Sequence, residues 1–266
     1  MDLDLGTRTA LITGSYRGTG AGIARSLAAE GASVLVHELE SGQAEAVVGE
    51  IRAGGGRADV VTGDPRSDAG ADALLSEIAA RGREIDILVN NYGAPGGGGW
   101  EDGSADEWMS MYETNVLSGV RLARGLAFGM KARGFGRVVF LGTVGIARPR
   151  AQTPGYYAAK AALTATTVSL AKELAGSGVT VNLVSPGLVA TPEVRALLER
   201  RARKRGWDGS FEEIEARAAS DFLPTPSGRI ARPDEVGALV AFLCSPWAAS
   251  INASEIRIDG GAADGI

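Results

Sequence analysis

The amino-acid sequence predicts an α/β fold in which one parallel sheet of seven strands carries helices on both faces. Short runs rich in β-branched residues recur along the chain. Most of them are apolar throughout rather than alternating, which is typical of strands buried on both faces. Segments rich in alanine and leucine, with helical spacing, lie between these runs. Alternating strands and helices build right-handed βαβ crossovers, so we expect a doubly wound sheet of the Rossmann type.

The strands and helices follow in chain order from these patterns. The β-branched runs place strands at residues 8–13, 33–38, 58–63, 85–90, 137–142, 179–184 and 255–259. The helical patterns place the intervening helices at residues 20–30, 44–53, 71–80, 104–133, 153–175 and 236–245. Each of these helices is therefore expected to connect two parallel strands of the sheet.

One long segment interrupts this alternation. Residues 189–227 form an insertion before the last strand, with further helical patterns inside it. Because the insertion follows a strand end, where such sheets bind ligands, we expect it to form a helical substrate lid. Its basic cluster at residues 200–205 is expected to be a solvated helix face balanced by Glu212, Glu213 and Glu215, rather than an anion site. No linker or repeat divides the chain, so residues 1–266 are predicted to form a single domain.

Composition and charge limit the possible partners. The 266 residues carry 27 basic and 32 acidic side chains, a formal net charge of -5, which gives no electrostatic reason to expect nucleic acid or an anionic membrane as partner. No apolar run approaches the length of about 18 residues that crosses a bilayer. Acidic residues occupy the amino terminus, where a signal peptide would be positively charged. We expect a cytoplasmic protein that acts on a small molecule and holds no metal.

The segment "TGSYRGTG", residues 13–20, lies directly between the first predicted strand and the first predicted helix. Its glycines Gly14, Gly18 and Gly20 would let the backbone approach the pyrophosphate of a dinucleotide at the amino end of that helix. Glycine is common in any strand-to-helix turn, so this segment by itself does not establish a dinucleotide site.

Two charged residues bear on which dinucleotide is bound. Glu38 ends the second predicted strand, where a carboxylate can accept hydrogen bonds from the adenosine ribose hydroxyls and repel a ribose phosphate. Arg17, inside the glycine segment, is a cation that could instead pair with that phosphate. We predict NAD as the preferred cofactor over NADP. His37, the single histidine, is expected to pack or to line the cofactor pocket rather than to catalyse.

A tyrosine and a lysine share one helix face in "GYYAAK", residues 155–160. Tyr156 and Lys160 lie one above the other on the predicted helix, whereas Tyr157 points about 100° away. A phenol with a pKa of about 10 is a poor proton donor or acceptor at neutral pH, but a nearby ammonium lowers that pKa. We therefore predict that Tyr156, activated by Lys160, is a general acid and base.

With these motifs in order on a parallel sheet, the chain resembles the short-chain dehydrogenase/reductase family over nearly its whole length. That family pairs a T-G-x-x-x-G-x-G loop with Y-x-x-x-K, and both are present here. The segment "NNYG" is similar to the family's N-N-A-G turn, with Tyr92 in place of the alanine. "SPGLVATP" is similar to the segment that closes over the nicotinamide, and Asp64 is similar to an adenine-contacting aspartate. The resemblance also implies that Asn115 supports a proton-relay water near Lys160.

The residues expected to contact the cofactor come from these motifs and from the charges discussed above. They are Gly14, Tyr16, Arg17, Gly18, Thr19, Gly20, Glu38, Asp64, Pro65, Asn91, Gly93, Tyr156, Lys160, Pro186, Gly187, Val189 and Thr191. The expected catalytic residues are Asn115, Thr143, Tyr156 and Lys160.

Thr143 departs from the family pattern, which has a substrate-binding serine at this position. Threonine keeps the hydroxyl and adds a methyl group, so it can still hydrogen bond a carbonyl oxygen in a tighter pocket. The predicted activity is NAD(P)-dependent interconversion of a secondary alcohol and a ketone, in which Tyr156 donates or accepts the proton. The alternatives are a non-redox enzyme on the same fold, such as a dehalogenase or dehydratase, and a dinucleotide-binding regulator without turnover.

The family resemblance implies a homotetramer built partly through the helices at residues 104–133 and 153–175. Leu122, Leu126 and Phe128 could form that contact or could face the core. The substrate is not identified by the sequence. An apolar pocket is expected, and the side chains proposed for it are Trp100, Trp207, Phe211, Phe222 and Leu223.

Overall fold

A computed structural model describes residues 1–221 and 224–263 of the chain. Within these residues, seven strands form one parallel sheet in the order β3-β2-β1-β4-β5-β6-β7. The strands are β1 (Thr9–Ile12), β2 (Ser33–Glu38), β3 (Arg57–Thr62), β4 (Ile87–Asn90), β5 (Gly136–Leu141), β6 (Val179–Pro186) and β7 (Glu255–Ile258). The strand order reverses between β1 and β4, so the predicted doubly wound sheet is confirmed.

Helices connect the strands and cover both faces of the sheet. They are α1 (Gly18–Ala29), α2 (Glu45–Ala53), α3 (Asp68–Ala80), α4 (Ala105–Tyr112), α5 (Ser118–Arg133), α6 (Pro154–Glu173), α7 (Pro192–Lys204), α8 (Phe211–Asp221) and α9 (Pro233–Cys244). A capping box of Ser104 and Glu107 starts α4, and Gly134 in the left-handed conformation ends α5. None of the helices in the described ranges is long and apolar enough to cross a membrane.

The helix predicted at residues 104–133 is interrupted by a π-helical turn. Residues Glu113–Leu117 adopt this wider turn between α4 and α5. Asn115 lies in the turn, and its Nδ2 atom donates a 3.0 Å hydrogen bond to the carbonyl oxygen of Met111. Single π-turns inside α-helices occur frequently at functional sites, and this one brings the Asn115 amide beside the loop after β4.

The hydrophobic core has one part on each face of the sheet. Adjacent strand residues point to opposite faces, so Leu11 packs with α3, α5 and α6 while Ile12 packs with α1, α2 and α9. Both side chains are fully buried, and burial of such a side chain stabilises the fold by about 1.5–3 kcal/mol. The strands buried on both faces explain why their sequences are apolar throughout.

Helices α7 and α8 form the predicted lid around a small apolar cluster of their own. Leu198 and Ala202 of α7 pack against Ile214 and Ala218 of α8, with Ile230 beneath them. This cluster is separate from the two parts of the main core, so the lid is attached to the sheet through few apolar contacts. Phe222 and Leu223, which the sequence assigns to the substrate pocket, lie outside the described residues.

The expectation that Glu215 balances the basic cluster from a solvated position is wrong. Glu215 is buried, and its carboxylate accepts hydrogen bonds from the guanidinium of Arg232, one of them 2.7 Å long, and from the backbone N–H of Ile230. A buried carboxylate requires such partners, because burial without them would be costly. This ion pair fastens α8 to the residues that precede α9.

Candidate active site

The carboxyl ends of β1, β4, β5 and β6 open into one groove with a volume of about 560 Å³. Parallel strands bring these ends to the same edge of the sheet, which is where doubly wound folds bind ligands. The groove brings together most of the residues that the sequence assigned to cofactor and catalysis. Its lining includes Gly14, Tyr16, Arg17, Gly18, Thr19, Gly20, Asn91, Gly93, Thr143, Tyr156, Lys160, Pro186, Gly187, Val189 and Thr191.

The glycine segment after β1 forms a cradle that side chains would fill. Gly14 and Gly18 adopt positive φ angles of 60° and 57°, which favour glycine. A Cβ atom at Gly20 would lie 2.5 Å from Asn91 Nδ2 and 2.6 Å from the Gly14 carbonyl oxygen. Asn91 Nδ2 in turn donates to the carbonyl oxygens of Thr13 (2.8 Å) and Gly14 (3.1 Å). The cradle therefore fits the close approach of a pyrophosphate at the amino end of α1.

His37 fastens this cradle from below. Its Nδ1 accepts a 2.9 Å hydrogen bond from the Gly14 backbone N–H, so Nε2 must carry the proton and donates to the Gly63 carbonyl oxygen, also at 2.9 Å. Burial lowers the pKa of His37, which keeps the ring neutral as this pattern requires. His37 thus packs beneath the glycine segment, one of the two roles predicted for it.

The prediction that the Glu38 carboxylate contacts the adenosine ribose is wrong in its geometry. The Glu38 residue is 1% exposed and is not part of the groove lining, whereas Leu39 is. Its carboxylate accepts hydrogen bonds from the backbone N–H groups of Gly42 (3.2 Å) and Ala44 (2.6 Å) and from the Thr62 hydroxyl (2.9 Å). These donors turn the side chain into the protein, where it fixes the turn between β2 and α2.

Asp64 and Pro65 follow β3 and also lie outside the groove lining. Asp64 pairs with Arg66, with an oxygen–nitrogen distance of 2.6 Å, and the hydrogen bond from Arg66 holds the pKa of Asp64 below its usual value. The Asp64 side chain is 43% exposed. Its contact with adenine, expected from the family resemblance, stays a prediction.

The reactive groups converge at the β5 end of the groove. Thr143 follows β5, and its Oγ1 atom accepts a 3.1 Å hydrogen bond from the Gly145 backbone N–H. Tyr156 lies in the first turn of α6 and lines the same groove as Thr143, whose side chain acts to lower the pKa of the Tyr156 phenol. The ring of Tyr157 packs edge-on against the ring of Tyr156, with 5.4 Å between the ring centroids. Both residues whose hydroxyl groups are predicted to hold a substrate oxygen therefore line the same groove.

The pKa of Tyr156 is raised rather than lowered in this structure, and a lowering of this pKa stays a prediction for Lys160. The Lys160 Nζ atom is buried and donates a 2.7 Å hydrogen bond to the Leu141 carbonyl oxygen. Burial raises the pKa of Tyr156 to about 12, with a further rise from Tyr157, and the hydrogen bond with Thr143 offsets only part of this. Burial also lowers the pKa of Lys160 to about 8. Tyr156 is therefore protonated at neutral pH, which suits a proton donor.

Asn115 lies behind the groove rather than in its lining. Its Oδ1 atom accepts from the Ala94 backbone N–H and its Nδ2 atom donates to the Ala94 carbonyl oxygen, both at 3.1 Å. A Cβ atom at Gly93 would lie 2.6 Å from Asn115 Oδ1 and 3.1 Å from Lys160 Nζ. Glycine at this position therefore lets Asn115 and Lys160 approach the loop after β4 from two sides.

A second cavity of about 700 Å³ adjoins the groove and shares Thr143, Gly187 and Leu188 with it. We call it the adjoining cavity. Among its other lining residues are Tyr157 and two arginines, Arg148 and Arg150. The sequence interpretation overlooked these arginines. Their position between the β5 end and α6 was the available signal, because both elements carry reactive residues.

The aromatic residues expected to line an apolar substrate pocket lie elsewhere. Trp100 is 72% exposed and its ring packs on Trp108, with 5.6 Å between the centroids. Trp207 and Phe211 pack against the apolar cluster of the lid. None of these three side chains lines either cavity.

Comparison with known proteins shows relatives along the whole chain. A family model described as enoyl-(acyl carrier protein) reductase matches residues 14–263. The uncharacterized oxidoreductase YvaG of Bacillus subtilis is 35% identical over 262 residues, which cover 98% of each chain. A putative ketoacyl reductase of Streptomyces coelicolor is 35% identical over 257 residues, covering 96% of this chain and 97% of the relative.

A solved structure has the same architecture. L-sorbose reductase from Gluconobacter frateurii, complexed with NADPH and L-sorbose, superposes with a TM-score of 0.91 at 30% sequence identity. The superposition covers 100% of both chains. The fold therefore matches that of a reductase along its full length.

Proposed function

Because the chain belongs to the short-chain dehydrogenase/reductase family, we propose that the groove is its active site and that Tyr156 is the general acid and base. The protein is an NAD(P)-dependent oxidoreductase that interconverts alcohol and carbonyl groups of a small molecule. One observation carries the assignment of the site. One groove is lined both by the glycine cradle and by the hydroxyl-bearing residues Thr143 and Tyr156.

The groove residues fit a nicotinamide dinucleotide. The cradle of Gly14, Gly18 and Gly20 would hold the pyrophosphate, and Lys160 would hold the nicotinamide ribose. The segment from Pro186 to Thr191 would cover the nicotinamide side of the groove. When bound, the cofactor supplies or accepts the hydride, while the protein orients the substrate and handles the proton.

In the reducing direction, Thr143 and Tyr156 hydrogen bond the substrate carbonyl oxygen. Tyr156 then donates its phenolic proton to that oxygen as negative charge develops there. Its pKa of about 12 keeps the proton available at neutral pH. Asn115 acts as a positioning residue, because its amide fixes the backbone of Ala94. Its support of a proton-relay water stays what the family resemblance implies.

The two alternative functions receive less support. A non-redox enzyme on this fold has no need of the glycine cradle, and a regulator without turnover has no need of the tyrosine and lysine. Here both features line one groove, and the relatives that match the whole chain are named oxidoreductases and reductases. We therefore do not favour either alternative.

The preference for NAD over NADP stays a prediction, and of the two effects expected of Glu38 it now depends on the repulsion of a ribose phosphate. Glu38 offers no hydrogen bond to the ribose, yet its carboxylate lies buried at the end of β2, where its charge still disfavours a nearby phosphate. Arg17 lines the groove and pairs with Glu193 of α7, with a nitrogen–oxygen distance of 3.1 Å. Arg17→Ala should weaken NADPH binding more than NADH binding, because only NADPH carries a phosphate that could pair with this cation.

The function is tested by titrating the purified protein with NADH and NADPH and following nucleotide fluorescence. A panel of ketones and aldehydes is then added to the same samples, and oxidation of the nucleotide is recorded. Binding followed by oxidation supports the proposal, and the ratio of the two dissociation constants gives the cofactor preference. Absence of binding for both nucleotides would overturn it. Cytoplasmic location stays a separate prediction from the sequence.

A further inference from the structure

The adjoining cavity is lined by charged groups as well as by Thr143. Thr143 also lines the groove, and the wall of the adjoining cavity includes Arg148 and Arg150. A compound whose carbonyl oxygen contacts Thr143 and that extends into the adjoining cavity would share this cavity with these two guanidinium groups. The charges of the lining residues indicate which class of substrate fits this cavity.

The chain itself holds the backbone of Arg148 in a fixed relation to Thr143, and Arg150 follows two residues later. A short 3₁₀ turn, Val144–Ile146, follows Thr143 directly. The backbone N–H of Ile146 donates to the Thr143 carbonyl oxygen, and that of Arg148 donates to the Gly145 carbonyl oxygen at 3.2 Å. Residues that bind a substrate are most selective when their backbone is fixed relative to the reacting group.

The charges of the described lining residues favour an anion. Asp259 is the carboxylate among them, and its two oxygens accept the backbone N–H groups of Gly261 (3.0 Å) and Ala263 (2.9 Å). Arg148 donates from Nη1 to the Ala262 carbonyl oxygen at 3.0 Å. Arg150 is exposed and makes no hydrogen bond or ion pair with any residue in the described ranges. Its guanidinium is available to a ligand.

From these observations, and on the basis of the function proposed above, we propose that the substrate is an oxo acid or hydroxy acid whose carboxylate pairs with Arg150. A guanidinium matches a carboxylate with two parallel hydrogen bonds, which gives both affinity and orientation. Arg148 lies on the same wall and adds positive charge. The pair would place the carbonyl of a short oxo acid towards Thr143 and Tyr156.

The test compares acids with neutral analogues of the same length. Short α-, β- and γ-oxo acids and their methyl esters are assayed with the preferred reduced nucleotide, using the wild-type protein, Arg150→Gln and the control Arg200→Gln. Arg200 is an exposed arginine on α7 and lines neither cavity. The wild type should prefer at least one acid over its ester in kcat/KM by about tenfold or more. Arg150→Gln should lose this preference with little change for the ester, and Arg200→Gln should keep it.

A binding measurement separates this proposal from the proposed function. The matching hydroxy acids and esters are titrated calorimetrically into protein saturated with oxidised nucleotide, for the same three proteins. If the wild type binds acids selectively and Arg150→Gln removes this selectivity, the carboxylate site is supported even without turnover. Absence of turnover would then mean that the oxidoreductase site is misassigned. Two results would overturn the carboxylate site and leave the proposed function standing. In the first, the esters are turned over or bound as well as every acid. In the second, Arg150→Gln lowers turnover or binding equally for acid and ester.

Discussion

Substitutions of Thr143 test whether the reaction needs a hydroxyl group at the end of β5. Its Oγ1 atom is held by the Gly145 N–H and lies beside Tyr156, where it can hydrogen bond a carbonyl oxygen. Thr143→Ser keeps that hydroxyl and should retain activity. Thr143→Val keeps the shape and should lower kcat by about 10²–10³-fold, the usual cost of removing one hydrogen bond to a developing oxyanion. Steady-state kinetics with nucleotide binding as the control checks this, and an active valine variant would exclude the hydroxyl role.

His37 should make stability depend on pH near neutrality. Its pKa in the folded protein lies below the value of 6.5 for an unperturbed histidine, because burial disfavours the charged ring. As the pH falls below about 6.5, the unfolded state takes up this proton before the folded state does, so the free energy of unfolding decreases. Protonation would also break the hydrogen bond that Nδ1 accepts from Gly14.

This dependence can be measured by urea unfolding of the wild type and His37→Gln at several pH values between about 5.5 and 7.5. The chain has one histidine, so few other groups titrate in this range. The wild type should lose stability towards the acidic end, and the variant should show a smaller slope whatever its absolute stability. Parallel slopes for the two proteins would show that His37 does not carry the effect.

At the scale of residues, the sequence predicts which side chains share a helix face better than it predicts where a side chain points at a turn. Tyr156 and Lys160 could be paired because helical geometry fixes which residues share a face. Glu38 was correctly placed at the end of β2, but its direction is set by the N–H groups of Gly42 and Ala44 in the turn that follows. The pKa of Tyr156 likewise depends on its burial, which the spacing of residues does not report.

The lid helices depend on one buried ion pair. Glu215 on α8 is 3% exposed and binds Arg232 and the Ile230 N–H. Glu215→Gln should destabilise the lid by about 2–3 kcal/mol, because the guanidinium loses its charged partner. Limited proteolysis of the region 205–232, compared with the control Glu212→Gln, checks this. Equal cleavage rates in both variants would contradict it.

At the scale of elements, the sequence predicts the strands and helices, but it does not predict where a helix is interrupted. All seven predicted strands are present, and their ends lie within two residues of the predicted ends, because β-branched apolar runs mark the strands directly. The π-turn at Glu113–Leu117 was not predicted. It depends on the Asn115 amide, which bonds Met111 and Ala94, and the second of these contacts joins residues 21 positions apart in sequence. The hydrophobic periodicity of one helix does not predict a contact with a residue so distant in the sequence.

The whole molecule exposes apolar side chains on the helices that the family resemblance assigns to subunit contacts. Met109 and Tyr112 of α4 and Phe128 of α5 are 59%, 38% and 49% exposed, whereas Leu122 is buried in the core. We propose that these exposed side chains join copies of the chain in a homotetramer. Phe128→Glu should lower the mass measured by sedimentation equilibrium while leaving the fold intact by circular dichroism. A wild-type protein that sediments as a monomer would contradict the proposal.

The central claim is that Tyr156, rather than its neighbour Tyr157, transfers the proton in a dinucleotide-dependent reaction. The two rings are adjacent, with 5.4 Å between their centroids, but of the two only Tyr156 lines the groove, so they form a matched pair of variants. The decisive measurement is nucleotide oxidation by Tyr156→Phe and Tyr157→Phe, with nucleotide affinity titrated in the same samples. Tyr156→Phe should lose about 10²–10⁴-fold in kcat while binding the nucleotide normally, and Tyr157→Phe should remain active. Full turnover by Tyr156→Phe would contradict the account.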